Sequence, residues 1–188
     1  MSKKIVLEET RQEELTWVKG IYEQLFPEIE RKPFPLMQQL VAQQKAIMLT
    51  VRDAESGEAV GMNFLLLHED MILFDYFAIA PEYQSMGYGT DVLRVVADRY
   101  PYKRIFGEVE PLDDAAPNAK QRKRRMDFYL SNGVKSTGII IDLFGCILQV
   151  MYMGDTPVTY EEYENFQRAI MGDEMTRKNV HFLRQEPV

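Results

Sequence analysis

Gln84-Ser85-Met86-Gly87-Tyr88-Gly89 is the stretch of this chain whose residue types and spacing could do chemistry. Met71 to Ile79 before it is rich in β-branched and aromatic residues and reads as a strand closed by Pro81. Thr90 and the apolar stripe Leu93, Val96, Ala97 and Tyr100 after it read as a helix. Glycines at such a junction let successive N–H groups turn toward one point. The positive end of the helix dipole lies beside them, so the loop suits a phosphate or pyrophosphate. Three carboxylates also stand out. Glu108 and Glu110 share one face if their segment is a strand, and Asp75 lies on the preceding strand. Taken alone, each could equally be a carboxylate at a strand end facing water.

The elements that must position these residues come in a clear order. Ile5-Val6-Leu7 is a short strand, and Thr10-x-x-Glu13 is a capping box opening a helix with the stripe Leu15, Val18, Tyr22 and Leu25. Pro35 starts a second helix that buries Leu36, Met37, Leu40 and Val41. Segments 47–51, 59–67 and 71–79 alternate with short polar turns and predict an antiparallel meander. The helix after the glycine loop ends at Pro101. A strand over 104–110 then completes a crossover, which makes a parallel pair. A helix over 118–132 stops at Gly133. Segments 135–142 and 146–153 form a hairpin, and 160–171 is a last helix. Residues 1–171 read as a single domain and 172–188 as a loosely held C-terminal tail.

The chain has 188 residues, 46% of them hydrophobic and 27% charged, which suits a globular domain with a substantial core. A formal charge of -7 argues against broad nucleic-acid binding and is compatible with a cationic or amine-bearing ligand. The single cysteine, Cys146, excludes an internal disulfide, and the two histidines lie far apart, so no metal site is expected. The N-terminus turns acidic at once and does not read as a leader, and no run approaches a membrane span. A cytoplasmic protein, without membrane or nucleic-acid partner, is the expectation. A homodimer is compatible with it.

With Gln84-x-x-Gly87-x-Gly89 placed after a strand and a proline turn, the chain resembles the GNAT superfamily of N-acetyltransferases. A second anchor is Phe128-Tyr129-Leu130-Ser131-Asn132-Gly133-Val134, which is similar to the superfamily's helix-end signature. The match runs from about Ile47 to Val134 and is only architectural outside it. It implies an α/β (α+β) fold: a mixed sheet of about six to seven strands, an antiparallel meander plus a splayed parallel pair, flanked by about four or five helices. Where the family often has Asn and Ala, seven and four residues before the tyrosine, this chain has Arg122 and Arg125.

The resemblance implies acetyl-CoA as co-substrate and a primary amine as acceptor. The amides of Met86, Gly87, Tyr88, Gly89 and Thr90 would hold the pyrophosphate, in a loop opened by Gln84 and Ser85. The backbone of Phe77, Ala78 and Ile79 would pair with the pantetheine arm, with Phe77 supplying an oxyanion-like donor from a strand bulge. Tyr129 would be the general acid for the leaving thiolate. An alkylamine has a pKa of about 10 and needs a base, for which Glu110, Glu108 and Asp75 are the candidates. The run Lys120 to Arg125 is either a solvated helix face or a contact to CoA phosphates.

Two other readings compete. Strand, Gly87-x-Gly89, helix, then Glu108 imitates a dinucleotide fingerprint, but Val92 stands at the third glycine position and the flanking elements are hairpins. A P-loop is excluded because no Gly-Lys-Ser/Thr follows. A non-catalytic acyl-CoA-binding regulatory module of the same fold remains an alternative to an enzyme. The acceptor, whether small molecule or protein, is not named by the residues.

Overall fold

The computed structural model describes residues 5–188. Met1 to Lys4, the start of the segment read as carrying no leader, lie outside the described residues. Eight strands are present: β1 (Ile5–Glu9), β2 (Ala46–Asp53), β3 (Ala59–His68), β4 (Met71–Ile79), β5 (Arg104–Val109), β6 (Lys135–Leu143), β7 (Cys146–Tyr152) and β8 (Val180–Gln185). Six α-helices accompany them: α1 (Leu15–Leu25), α2 (Phe34–Ala42), α3 (Tyr88–Arg99), α4 (Ala119–Ser131), α5 (Tyr160–Met171) and α6 (Asp173–Asn179). The strand order is β1-β2-β3-β4-β5-β7-β6-β8. The α/β class, the meander and the parallel β4–β5 pair are as expected; the strands and helices each exceed the expected number. The excess comes from residues 173–185, which the sequence presents as a loose tail. They form α6 and β8, and β8 pairs antiparallel with β6, Leu143 opposite Val180. Exposed positions dominate β8 after Val180, so its sequence lacks the apolar alternation that marks a strand.

The chain forms two compact units. The first comprises residues up to Leu67 and Phe74–Tyr102; the second comprises His68–Leu73 and residues from Lys103 onward. β4 therefore begins in one unit and ends in the other.

In the first unit β1, β2 and β3 pair antiparallel, with Leu7 opposite Val51 and Leu49 opposite Asn63. The core takes Val18 and Tyr22 from α1, Met37 and Leu40 from α2, and Val92, Leu93 and Val96 from α3. The expected capping box is displaced by one residue. Thr10 extends the strand instead, its N–H donating to the Met48 carbonyl at 2.9 Å. The Glu14 carboxylate accepts the Arg11 N–H at 2.9 Å, ahead of α1.

The Phe74 and Phe77 rings of β4 meet edge to face at 5.4 Å. Asp75 and Tyr76 both contact Lys32: the Lys32 ammonium meets Asp75, and the Lys32 N–H donates to the Tyr76 hydroxyl at 3.0 Å. Exposure alternates from Asp75 to Ala78, Asp75 and Phe77 being part-exposed and Tyr76 and Ala78 buried. The end of β4 presses against Gly61 on β3. A Cβ at that glycine would stand 2.4 Å from the Ala78 carbonyl and 3.2 Å from the Ile79 Cα.

In the second unit the Arg104 N–H donates to the Asp70 carbonyl at 2.8 Å, joining the starts of β5 and β4. β7 lies between β5 and β6, with Phe106 opposite Tyr152. α5 begins at a capping box in which Thr159 and Glu162 exchange hydrogen bonds. Its Tyr163 and Phe166 rings pack edge to face on Phe106, at 6.1 and 5.0 Å. The Arg104 guanidinium ties Glu162 to Asp70, at 2.7 and 3.0 Å.

The close approach at Gly61 gives a direct test. Gly61→Ala should destabilise the protein by about 1–3 kcal/mol, because backbone rather than a flexible side chain blocks the methyl. Urea unfolding followed by circular dichroism measures it, and an unchanged midpoint would mean that β4 relaxes freely there.

Candidate functional site

The glycine loop lies where the sequence places it, between β4 and α3. Gln84, Ser85, Met86 and Gly87 are exposed, and the chain turns through two left-handed residues, Ser85 (φ 63°) and Gly87 (φ 93°). Gly87 suits such a conformation because it has no Cβ. The Gln84 side chain does not reach outward: its amide donates to the Ile79 carbonyl at 3.0 Å and ties the loop to the end of β4. The Asp91 N–H bonds the Gly87 carbonyl at 3.3 Å. An α-helix leaves its first amides without an intrahelical acceptor, so the main chain around Gly89 and Thr90 forms a donor-rich end beside an exposed loop. Chemically that end favours an anion.

Tyr88 serves this loop through its side chain. The ring is buried, and its hydroxyl donates to Asp53 Oδ2 at 2.7 Å. Asp53, at the end of β2, also accepts the Glu55 and Ser56 amides through Oδ1 at 3.0 and 2.9 Å. The Ser56 amide and the Tyr88 hydroxyl, with Glu55 adding to them, pull the Asp53 carboxyl down to about 2. Hydrogen bonding to that carboxylate, with burial, raises the Tyr88 phenol to about 12. Tyr88 thus fastens the first turn of α3 to the β2–β3 turn.

Phe77, Ala78 and Ile79 close β4. Ala78 and Ile79 are buried; Phe77 is partly exposed. Asp75, a candidate base by sequence, has a side chain only 5% exposed, with the Lys32 ammonium 2.9 Å from each carboxylate oxygen. Burial pushes its carboxyl upward and the ammonium opposes that.

The second unit holds the other three residues. Tyr129 lies in the last turn of α4, part-buried, and its carbonyl accepts the Val134 N–H at 3.1 Å as the chain turns through Gly133. Burial raises its phenol, and the nearby Arg125 guanidinium, one turn earlier, opposes the rise. Glu108 accepts from the Tyr163 hydroxyl at 2.6 Å and the Gln167 amide at 3.0 Å, both on α5. Glu110 turns to α4 instead: Arg122 lies at 2.8 Å, Arg125 at 3.1 Å and the Asn118 amide at 3.0 Å. Glu110 lies one residue beyond the end of β5, and it and Glu108 engage different helices. Arg122 and Arg125, the departures from the family pattern, have a local partner in Glu110. Tyr163, Gln167 and Asp53 escape a reading of the sequence, which holds no local signal for them.

Among the described residues no group of three or more His, Cys, Asp and Glu could hold a metal ion, and no helix is long and apolar enough to cross a membrane.

Asp53 makes the loop's anchor dependent on pH. Its folded value of about 2 lies below the ordinary 3.8, so the unfolded chain binds more protons between them. Its contribution is therefore complete above about pH 4 and disappears as pH falls toward 2. Tyr88→Phe removes one hydrogen bond to the carboxylate and should move that acid limb to higher pH. Thermal midpoints between pH 7 and 2 measure the shift; superimposable curves would dissociate Tyr88 from Asp53.

No protein-family sequence model matches the chain, and no curated protein matches it in sequence. Solved structures do match in shape. A structure from Bacteroides thetaiotaomicron assigned to the GNAT family of acetyltransferases superposes with a TM-score of 0.71 at 14% identity, over 89% of this chain and 99% of that one. Arabidopsis thaliana Naa50, solved with a bisubstrate analogue of CoA, gives 0.60 at 14% identity, over 80% and 99%. The spermidine/spermine N-acetyltransferase SpeG from Vibrio cholerae gives 0.60 at 15% identity, over 87% and 98%. At these identities the likeness is one of architecture, and on it the chain has the GNAT acetyltransferase fold.

Proposed function

We propose that this chain is an acetyl-CoA-dependent N-acetyltransferase that moves the acetyl group directly from the thioester to a primary amine. The observation that carries the proposal is the exposed left-handed loop at Ser85–Gly87, opening the N-terminus of α3 in a GNAT fold. The neighbours add support, because a GNAT structure from Elizabethkingia anophelis has acetyl-CoA bound and aligns with a TM-score of 0.52 at 15% identity.

Each group then has a role. The amides of Met86 to Thr90 hold the diphosphate, with Gln84 and Ser85 shaping the loop. The backbone of Phe77 to Ile79 pairs with the pantetheine arm, with the Phe77 amide as the donor to the carbonyl oxygen. The amine lone pair forms the C–N bond, the C–S bond breaks, and the thiolate takes a proton from Tyr129. The amine's proton passes to a carboxylate, directly or through water. Glu108 suits that task better than Glu110, since Tyr163 and Gln167 orient it in the way a third group orients a general base. Glu110 holds Arg122 and Arg125 and acts through them. Cys146 lies within β7, and no acyl-cysteine step is required.

A second reading draws on the same contacts. Both carboxylates already accept bonds from within the protein, as they would in a non-catalytic acyl-CoA-binding module. Turnover separates the two. Tyr129→Phe should lower kcat by about 10²–10⁴-fold, the usual worth of one general acid, with acetyl-CoA affinity largely kept. An amine screen following CoA release reads the rate, and the shift in melting temperature with acetyl-CoA reads binding. Equal turnover in wild type and variant would remove the acid role. Binding without release for any amine would favour the module.

A further inference from the structure

Lys32 stands in the connection between α1 and α2, one residue before Pro33. Its ammonium lies 2.9 Å from both oxygens of Asp75 and 5.0 Å from the centre of the Tyr76 ring. Tyr22 and Phe26 pack edge-on against that ring, at 4.8 and 5.0 Å. A carboxylate and a ring face at one ammonium is chemistry by which proteins recognise alkylammonium groups, and Tyr22 and Phe26 hold that ring in place. The surroundings do not depend on that ammonium for their shape. The Tyr22 hydroxyl donates to the Lys32 carbonyl at 3.0 Å, the Lys32 N–H donates to the Tyr76 hydroxyl, and that hydroxyl donates to the Glu30 carbonyl at 2.7 Å. These bonds hold the backbone, whatever side chain residue 32 carries. The Lys32 side chain is 25% exposed while that of Asp75 is 5% exposed, so solvent reaches the site along the lysine stem.

We infer that Asp75 and Tyr76, backed by Tyr22 and Phe26, form a binding cage for a primary alkylammonium, and that Lys32 of the same chain occupies it as a displaceable plug. The atoms of Lys32 beyond its Cβ amount to propylammonium, so the cage fits a straight alkyl stem ending in NH₃⁺. One N–H donates to Asp75 Oδ1, and Oδ2 lies 2.9 Å from the same nitrogen. A quaternary ammonium, which has no N–H, would leave that buried carboxylate unmatched. The inference rests on the transferase reading for its consequence: the acceptor class would be unbranched primary alkylamines, admitted when Lys32 swings out. A tethered lysine competes at millimolar effective concentration, so a free monoamine binds wild type weakly.

Lys32→Ala tests the cage directly. It leaves Asp75 buried without its cation and should lower the melting midpoint by about 5–10 °C. Propylammonium chloride at millimolar concentration should restore at least half of that loss in Lys32→Ala. Sodium chloride and tetramethylammonium chloride at equal ionic strength should not. Wild type and the Lys32→Ala/Asp75→Asn double variant should show no propylammonium-specific rise. Should Lys32→Ala fold too poorly to melt, it is purified in propylammonium chloride, and its circular dichroism is followed on exchange into sodium chloride or tetramethylammonium chloride of equal ionic strength. Structure should be lost on either exchange and regained on return to propylammonium. Equal responses to propylammonium and sodium, or rescue that survives Asp75→Asn, would overturn the cage. Acetyl transfer to propylamine is a separate readout. Rescue without transfer to any amine keeps the cage and removes the transferase reading; transfer without rescue does the reverse.

Discussion

The placement of the second half of β4, from Asp75 to Ile79, is the constraint on which the other features depend. Asp75 and Tyr76 both contact Lys32, and the Phe74 and Phe77 rings meet edge to face. This stretch has several supports. Gly61 leaves room for the Ala78 carbonyl, Tyr76 is bonded to the backbone of Glu30 and Lys32, and Gln84 reaches back to the Ile79 carbonyl. Tyr76 and Gln84 also have a place in the proposed chemistry, as a wall of the ammonium site and as a tether of the loop.

The glycine loop shows a similar division of labour. Tyr88 is buried on Asp53 and the Gln84 amide bonds β4, while Ser85, Met86 and Gly87 stay exposed. Recognition would then come from backbone amides and the helix end, a mode that places few demands on side-chain identity. A shared architecture at 13–18% identity, as the solved neighbours show, is compatible with a site built in this way.

Much of this is legible in the sequence because the signals are local. The glycines at 87 and 89 with a proline turn before them, the meander turns and the hairpin around Phe144-Gly145 each occupy a few consecutive residues. What escapes is long-range. Tyr88 meets Asp53 from 35 positions away, Lys32 meets Asp75 from 43 and Tyr163 meets Glu108 from 55. No period or cap marks such pairs. Nor does a period tell which helix each carboxylate meets, α5 for Glu108 and α4 for Glu110. β8 resembles a tail because only its first residue is buried, and its pairing with β6 is invisible to a local pattern.

If the main chain from Met86 to Thr90 receives a diphosphate, ¹⁵N–¹H spectra recorded during titration with acetyl-CoA will show it. The amides of Gly87, Tyr88, Gly89 and Thr90 should shift most. Desulfo- or deacylated CoA, carrying the same diphosphate, should reproduce those shifts. Saturable binding that leaves these amides unmoved would contradict that reading.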